Sequence, residues 1–402
     1  MAALLLLPLA SLLLGAGAST VQPVTISDIA AAKRAPSPGA FSFFSNHTIY
    51  SPKGNETVGY PRVTELSDGS LLATCTLSLR FPQFFPIFKS TDGGASWEWI
   101  SSDPDDGSPL GLGAQPALLQ TSKKFGDYPS GTVLAAGNRM SFDSTNIDLY
   151  ASTDKGKTWS FVTTIAQGGP PTTKNGGSSI WEPFLMEYNS EVIAYYSDSR
   201  DQKHGQKLSH QTSTNLEEWN DAVDDAAYSI YADRPGMTVI SYIPPLGQYM
   251  LVYEYGRGNR TKGGNRFPDV YKLAADPRAF ASAPPLDIEA ADSRSNASKI
   301  LEPGSAPYVV WSPAGGANGT IIMTDANHKK LFINTRGGDA GAWETRDVPQ
   351  KAGYARALHV MTKYPDHLMI FGAGPYRAKR GEPFSLSVVN VTELVGQGLG
   401  KR

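Results

Sequence analysis

Short segments rich in aromatic and β-branched residues recur along the chain, separated by turn-forming residues. The segments FPIFK and EWI flank the stretch STDGGASW, which runs from Ser90 to Trp97. The segments IDLYA and SFVTTI flank STDKGKTW, from Ser152 to Trp159. Both stretches fit S-x-D-x-G-x-x-W, in which the Asp carboxylate can bond backbone N–H groups and Gly tolerates a positive φ. Each stretch predicts the turn of a β-hairpin, and no amphipathic helical pattern accompanies it.

The turn motif returns at a regular interval. Weaker copies end at Trp219 and Trp343, a faint one ends at Phe280, and successive end points from Trp97 onward lie 60 to 63 residues apart. A second series of segments opens each unit; these lie near Arg62, Gln115, Glu182, Arg234, Ser305 and Arg356. Six such units predict an all-β, six-bladed β-propeller in which the first strand of each blade lines the channel. A solenoid of β-hairpins is the alternative architecture.

The turn motifs resemble the Asp boxes of sialidase-type β-propellers. That resemblance implies that the boxes lie on the outer rim, far from the channel, and propellers without enzymatic activity carry them as well. We therefore interpret Asp92, Asp154, Trp97 and Trp159 as structural residues. Functional side chains are expected where the blades line the channel.

The amino-acid composition excludes several classes of structure and of binding partner. Gly and Pro are abundant (40 and 29 residues), charged residues make up 18 %, and the net charge is −2, which argues against disorder, a coiled coil and nucleic-acid binding. The one cysteine, Cys75, lies in the apolar run LLATCTL and predicts a buried, inert thiol. The six histidines show no metal-binding spacing, so we expect neither a metal nor a cofactor.

The N-terminal residues predict export. An apolar stretch from Ala2 to Leu14 and the small residues that end at Ala18 predict a signal peptide over residues 1–18. The dibasic Lys33-Arg34 ends either a propeptide over residues 19–34 or a plain linker, which leaves residues 35–402 as one catalytic domain. We expect a secreted monomer without a membrane anchor. Glycosylation sequons stand at Asn46, Asn55, Asn259, Asn296, Asn318 and Asn390.

Two glutamates, Glu182 in SSIWEPFLMEY and Glu254 in YMLVYEYGRG, lie inside apolar, aromatic strands. Burial of a carboxyl group is costly unless the group is paired or used, and it raises the pKa as a general acid requires. Adjacent blades can aim both side chains at one pocket, and two facing carboxyl groups are the usual equipment for cleaving a glycosidic bond. The alternative is that each glutamate pairs with an arginine such as Arg62, Arg234 or Arg356.

A closer resemblance concerns the stretch from SSIWEPFLMEY to STNLEEW, together with DRPGMTVISY and LVYEYG. These segments resemble glycoside hydrolase family 93, whose members are secreted fungal exo-arabinanases, and the similarity covers most of the mature chain. It implies a retaining exo-hydrolase that releases arabinobiose from linear α-1,5-linked L-arabinan. The family's two catalytic glutamates correspond to Glu182 of WEPFL and Glu254 of YEYG. We take Glu182 as the nucleophile and Glu254 as the acid/base, with the reverse assignment left open.

Other residues near the predicted channel are candidates for contacts with the sugar. They are charged, amide or aromatic, and some belong to the loop SDSRDQKHG: Arg62, Gln115, Trp181, Asp198, Asp201, His204, Arg234, Tyr354 and Arg356. For each of them the alternative is structural pairing within a blade.

Two other functions compete with the arabinanase. Arg62, Arg234 and Arg356 all open blades and suggest the carboxylate-binding arginine cluster of a sialidase, although YPRV differs from the order expected there. A glycan-binding propeller without catalysis is the second rival. Paired buried glutamates argue against it, since a lectin has no need of a carboxyl group with a raised pKa.

Overall fold

The computed structural model describes residues 38–78, 84–103, 112–258, 267–292, 299–376 and 381–397. The predicted leader, the dibasic site and the sequons at Asn259 and Asn296 lie outside these ranges. Of the other sequons, Asn46, Asn55 and Asn318 are exposed, and Asn390 caps a short C-terminal helix. No helix in the described part of the chain is long and apolar enough to cross a bilayer.

Six β-sheets follow one another along the chain, each with its strands in sequence order. Strand β1 (Phe44–Tyr50) comes first but belongs to the last sheet. The first blade has β2 to β5 (Thr57–Glu65, Leu71–Ser78, Phe85–Ser90, Glu98–Asp103), and the second has β6 to β9 (Ala114–Gln120, Val133–Met140, Thr145–Ser152, Ser160–Ala166). The third has β10 to β13 (Ile180–Tyr188, Glu191–Asp198, Lys207–Ser213, Val223–Ala226). The fourth has β14 to β17 (Arg234–Ile243, Gln248–Gly256, Asp269–Ala274, Leu286–Asp287).

The last two blades depart from this pattern. In the fifth, β20 to β23 (Tyr308–Ser312, Thr320–Thr324, Leu331–Asn334, Trp343–Arg346) are extended by the two-residue strands β18 and β19 (Ala290–Ala291, Ile300–Leu301). The sixth contains β24 to β26 (Ala357–Val360, His367–Gly372, Phe384–Asn390), and β1 adds to β26 as its outer strand. Helix α1 (Val391–Gly396) follows, and single 3-10 turns occupy Pro244–Leu246, Phe280–Ser282 and Ala340–Ala342.

This arrangement confirms the six-bladed β-propeller. The predicted openings at Ser305 and Arg356 stand one to three residues before β20 and β24, and the other four lie within opening strands. Clusters of buried apolar side chains join neighbouring blades; one of them packs Cys75 and Trp97 of the first blade against Phe371 of the sixth. Because β1 closes the last blade, the first and last strands of the described domain lie in one sheet.

The turns with the S-x-D-x-G-x-x-W pattern join the third and fourth strands of their blades. Asp92 accepts hydrogen bonds from the backbone and the hydroxyl of Ser96 (2.9 and 2.6 Å) and from the hydroxyl of Ser90 (2.8 Å). Trp97 packs in the core and donates its indole N–H to the carbonyl of Gly94. In the third blade, Asn215 takes the place of the aspartate and accepts from two backbone N–H groups.

The opening strands share a feature that the alternating pattern did not predict. Each blade has a non-glycine residue with a positive φ where its chain enters the channel: Tyr60, Gln115, Glu182, Met237, Ala306 and Ala355, with φ between 52° and 64°. In the first four blades a register shift in the pairing marks a β-bulge at this point. A bulge bends the strand and re-aims the side chains around it, and such bulges are common near active sites.

Candidate active site

Glu182 lies at the bulge of β10 and enters the channel. Its Oε2 accepts hydrogen bonds from the hydroxyl of Ser197 on β11 and from the backbone N–H of Met237 in the next blade, both at 2.7 Å. The backbone N–H of Glu182 donates to the side-chain oxygens of Gln115 (3.1 Å) and Asn138 (3.3 Å). Three blades therefore hold this glutamate in place.

Glu254, two residues before the end of β15, is held in the same manner. Its Oε2 accepts from the hydroxyl of Ser305 (2.8 Å) and from the backbone N–H of Ala306 (3.1 Å). Met237 and Ala306 are both positive-φ residues of opening strands. Each carboxyl group is thus bonded to the bulge N–H of the following blade and to one serine hydroxyl.

The two glutamates share one pocket. Gly236 is the direct cross-strand partner of Glu254, and a Cβ atom at Gly236 would lie only 3.3 Å from Glu182 Oε2. Burial, followed by the charge of Glu254, raises the pKa of Glu182 to about 7, against the hydrogen bonds from Ser197 and Met237. Burial also raises the pKa of Glu254. Burial therefore favours the protonated form of both glutamates, and the charge of Glu254 favours it further at Glu182.

Two tyrosines border the same pocket. Burial raises the pKa values of Tyr60 and Tyr354, and the charges of both glutamates raise them further. The rings lie 6.2 Å apart, and the hydroxyl of Tyr354 points at the sulfur of Met237 (3.1 Å). Both phenols therefore stay protonated and able to donate hydrogen bonds.

Besides Tyr354, three of the predicted binding residues lie around the pocket. Gln115 positions the backbone of Glu182, as described above. Arg62 lies over the rings of Tyr60 and Tyr308 and donates to two carbonyl oxygens. Arg234 donates to Asn175 (2.9 Å) and to Gln206, and its charge lowers the pKa values of both glutamates.

Another buried carboxyl group lies beside Glu254. Asp269 is the direct cross-strand partner of Glu254, and neither of its oxygens has a hydrogen-bond partner. Burial and the charges of Asp325 and Glu254 raise the pKa of Asp269 well above its ordinary value. Burial therefore favours the protonated form of this side chain.

Two of the predicted sugar-binding residues, Trp181 and Arg356, are buried, so the prediction that they contact the sugar is wrong. Trp181 is 2 % exposed, so its ring has no open face for stacking; the bulge that turns Glu182 into the channel leaves Trp181 in the core. Arg356 is 0 % exposed and donates to the carbonyls of Asp325, His328 and Lys330, which makes it a support for that loop.

The predicted residues of the loop SDSRDQKHG all have partners within the protein, and their contact with the sugar stays a prediction. Asp198 binds the guanidinium group of Arg200 through both oxygens (2.9 and 2.8 Å). Asp201 accepts from Lys203 and Lys207, and His204 lies 2.8 Å from the carbonyl of Tyr228. The residue of this segment that reaches the pocket is Ser197, which precedes Asp198 and faces the other side of β11.

Residues that sequence reasoning missed include Tyr60, Met237, Ser197, Ser305 and Ala306. Four of the six positive-φ residues of the opening segments precede a proline, in Tyr60-Pro61, Gln115-Pro116, Glu182-Pro183 and Ala306-Pro307. Proline cannot donate to a ladder and is found at bulges, so these pairs were a usable signal. Nothing in the sequence marked Ser197 or Met237.

The arrangement does not fit the arginine cluster of a sialidase. No two of the guanidinium groups of Arg62, Arg234 and Arg356 share a hydrogen-bond partner, and that of Arg356 is inaccessible. Within the described ranges, no group of three or more His, Cys, Asp or Glu side chains is placed to hold a metal ion.

No family model and no curated protein matches the chain. Solved structures do. The α-L-arabinofuranosidase of family 93 from Fusarium graminearum, in complex with arabinobiose, is 42 % identical, with 88 % of this chain and 99 % of that chain covered and a TM-score of 0.82. The Penicillium chrysogenum α-L-arabinanase, also complexed with arabinobiose, is 37 % identical with the same coverage and a TM-score of 0.80. A leech intramolecular trans-sialidase is 11 % identical, with 89 % of this chain and 72 % of that chain covered and a TM-score of 0.57, a likeness in fold alone.

The fold, the pair of buried glutamates and the sequence identity over nearly the whole described domain all point to the same family. This chain belongs to glycoside hydrolase family 93.

Proposed function

We propose that the protein hydrolyses linear α-1,5-linked L-arabinan from a chain end, releases arabinobiose and retains the anomeric configuration. The observation that carries the proposal is the pair Glu182 and Glu254, two buried carboxyl groups that adjacent blades bring together and whose pKa values are both raised. The two fungal relatives solved with arabinobiose support the choice of sugar. The pocket is lined by phenols, amides and the guanidinium group of Arg234, groups that hydrogen-bond a neutral sugar.

The reaction proceeds in two displacements. The ionised glutamate attacks the anomeric carbon while the protonated one gives its proton to the departing glycosidic oxygen, which leaves a glycosyl ester on the protein. The second glutamate, now ionised, takes a proton from water, and the water oxygen displaces the ester from the opposite face, the one that the leaving group occupied, so the configuration is retained. Ser197 and the N–H of Met237 fix Glu182 for these steps, and Ser305 and the N–H of Ala306 fix Glu254.

The products formed from debranched linear arabinan test this function. Wild type is expected to release arabinobiose as the sole early product, and Glu182→Gln and Glu254→Gln are expected to lose at least about 10³-fold in kcat. Glu217→Gln, an exposed substitution, is the control and should match wild type. Absence of arabinobiose with wild type, or nearly full activity in either pocket variant, would contradict the proposal.

The roles of the two glutamates need a separate test, because their hydrogen bonds are alike. We assign Glu182 as the nucleophile and Glu254 as the acid/base. On an aryl arabinobioside with a good leaving group, Glu254→Ala should then keep the first step and gain turnover when azide is added, with an azide product of retained configuration. Glu182→Ala should not respond in this way. The opposite pattern would reverse the assignment.

We further propose that the chain is exported. Signal cleavage after Ala18 and processing after Arg34 would leave a domain from Ala35, three residues before the described part of the structure begins. N-terminal sequencing of the protein from a eukaryotic culture medium tests both sites. Retention of the protein in the cells would contradict export.

A further inference from the structure

A large apolar side chain stands exposed in the second blade, the blade before that of Glu182. Phe142, in the turn between β7 and β8, is 75 % exposed, the highest value among the large hydrophobic residues in the described ranges. The turn is tightly held: Ser141 donates its backbone N–H to the carbonyl of Ser144 (3.0 Å), and its hydroxyl bonds Asp143 and Ser144. The turn therefore presents the ring to solvent in a fixed position.

Both ends of this turn are fastened to the segment that leads into Glu182. Before the turn, Asn138 donates to the carbonyl of Ile180 (3.0 Å) and accepts from the N–H of Glu182. After it, the hydroxyl of Thr145 accepts from the N–H of Ile180 (3.0 Å). Phe142 follows Asn138 by four residues, which span at most about 13 Å of extended chain. It therefore lies within two or three sugar lengths of the catalytic glutamate.

A second aromatic side chain approaches the same segment from the fourth blade. Ile230 and Tyr231, each 42 % exposed, belong to the loop that enters β14. The carbonyl of Tyr231 accepts from the N–H of Gly205 (2.8 Å), and its hydroxyl lies 3.4 Å from the Cβ position of Gly176. Phe142 and Tyr231 thus flank residues 167–179, and we call these two side chains with that segment the rim track.

The chemistry of the rim track suits a neutral polyol. Residues 167–179 read QGGPPTTKNGGSS, in which the amides of Gln167 and Asn175 are exposed and Lys174 is the one charged side chain. Aromatic faces next to such groups can pack against the C–H faces of sugar rings while hydroxyls find partners. An exo-hydrolase that holds a chain end in its pocket must let the rest of the polymer run out over the rim.

We propose that the rim track binds the part of the arabinan chain that leaves the pocket on the leaving-group side of the cleaved bond. The inference rests on the proposed function and extends it to the length of the substrate. Stacking on Phe142 and Tyr231 strengthens the binding of long chains without taking part in bond cleavage. Preference for polymer over short oligosaccharides follows from these two side chains.

The test compares long linear arabinan with arabinotriose in wild type, Phe142→Ala and Tyr231→Ala. Each variant is expected to raise KM for the polymer about three- to ten-fold with kcat unchanged, and to leave both constants for arabinotriose as in wild type. Phe161→Ala is the matched control, since Phe161 is 49 % exposed on β9, the outer strand of the same blade.

Three results would overturn the inference: unchanged KM for the polymer in both variants, an equal rise for polymer and trisaccharide, or the same rise in Phe161→Ala. Failure of the proposed function gives a different result, namely a wild type that leaves arabinan intact. In that case arabinan is not the substrate, and the inference about the rim track is wrong together with the proposed function.

Discussion

At the scale of single residues, the protein holds two carboxyl groups by the same pattern of hydrogen bonds and raises the pKa of both. Each accepts one backbone N–H and one serine hydroxyl through its Oε2. Hydrogen bonding therefore does not distinguish the two glutamates. Their ionisation is linked through charge, because two carboxylates that are buried close together repel each other. Removal of the first proton from the pair makes removal of the second harder.

This repulsion predicts how substitution of Glu254 changes Glu182. In Glu254→Gln the pKa of Glu182 should fall from about 7 toward its ordinary value of 4.5, because the charge of Glu254 is removed while burial persists. Carbon-13 NMR of carboxyl-labelled glutamate measures the shift, with Glu217→Gln as the control. An unchanged pKa of Glu182 would show that the charge of Glu254 does not affect the ionisation of Glu182.

The same electrostatics set the pH dependence of the wild type. Activity should fall as the pH rises through about 7, where the pair gives up its last proton, and again at lower pH, where both carboxyl groups become protonated. Folding stability should also decline as the pH rises from 4.5 to about 7. A carboxyl group with a raised pKa binds its proton more tightly in the folded state than in the unfolded chain.

At the scale of elements, regular spacing was easy to predict and local irregularity was not. Turn motifs that end 60 to 63 residues apart, at four tryptophans and Phe280, together with six opening segments gave the blade count. A bulge adds one residue to a strand, so alternation fails beyond it, and for that reason Trp181 was predicted to stack on sugar although it is buried. A proline follows four of the six positive-φ residues in the opening segments, and these dipeptides could have marked the irregular positions.

The Asp-containing turns lead to a prediction about stability alone. Asp92→Ala should lower the free energy of unfolding by about 1–2 kcal/mol at neutral pH, since three hydrogen bonds to a partly exposed carboxylate are lost. Burial opposes its ionisation, but the bonds from Ser96 and Ser90 outweigh burial and lower the pKa of Asp92. The stabilisation is therefore present above the unfolded pKa and lost as the pH falls below it.

Thermal unfolding at neutral and acidic pH measures this effect, and kcat should match wild type because the turn lies at the opposite end of its blade from the channel entry. Asp154→Ala, in the equivalent turn of the second blade, serves as a replicate. A large fall in kcat with unchanged stability would contradict the structural role of these turns.

At the scale of the whole molecule, the arrangement of the six blades brings together residues that lie far apart in the sequence. Glu182 and Glu254 stand 72 positions apart, and they meet because adjacent blades open onto one channel. The pairing of carboxyl groups could be predicted from their apolar surroundings. The N–H groups of Met237 and Ala306, each from the following blade, could not, because they depend on how neighbouring sheets are set against each other. The hydroxyl of Ser197, on the strand next to Glu182, could not be predicted either, because a β-bulge interrupts the alternation of side chains there.

The central claim is a retaining release of arabinobiose by these two glutamates. Proton NMR of the anomeric region during the first minutes of hydrolysis of a linear arabino-oligosaccharide tests it most directly. We predict that α-arabinobiose appears first and that the β anomer grows in only as mutarotation proceeds. Initial formation of the β anomer, or of free arabinose in place of the disaccharide, would contradict the account.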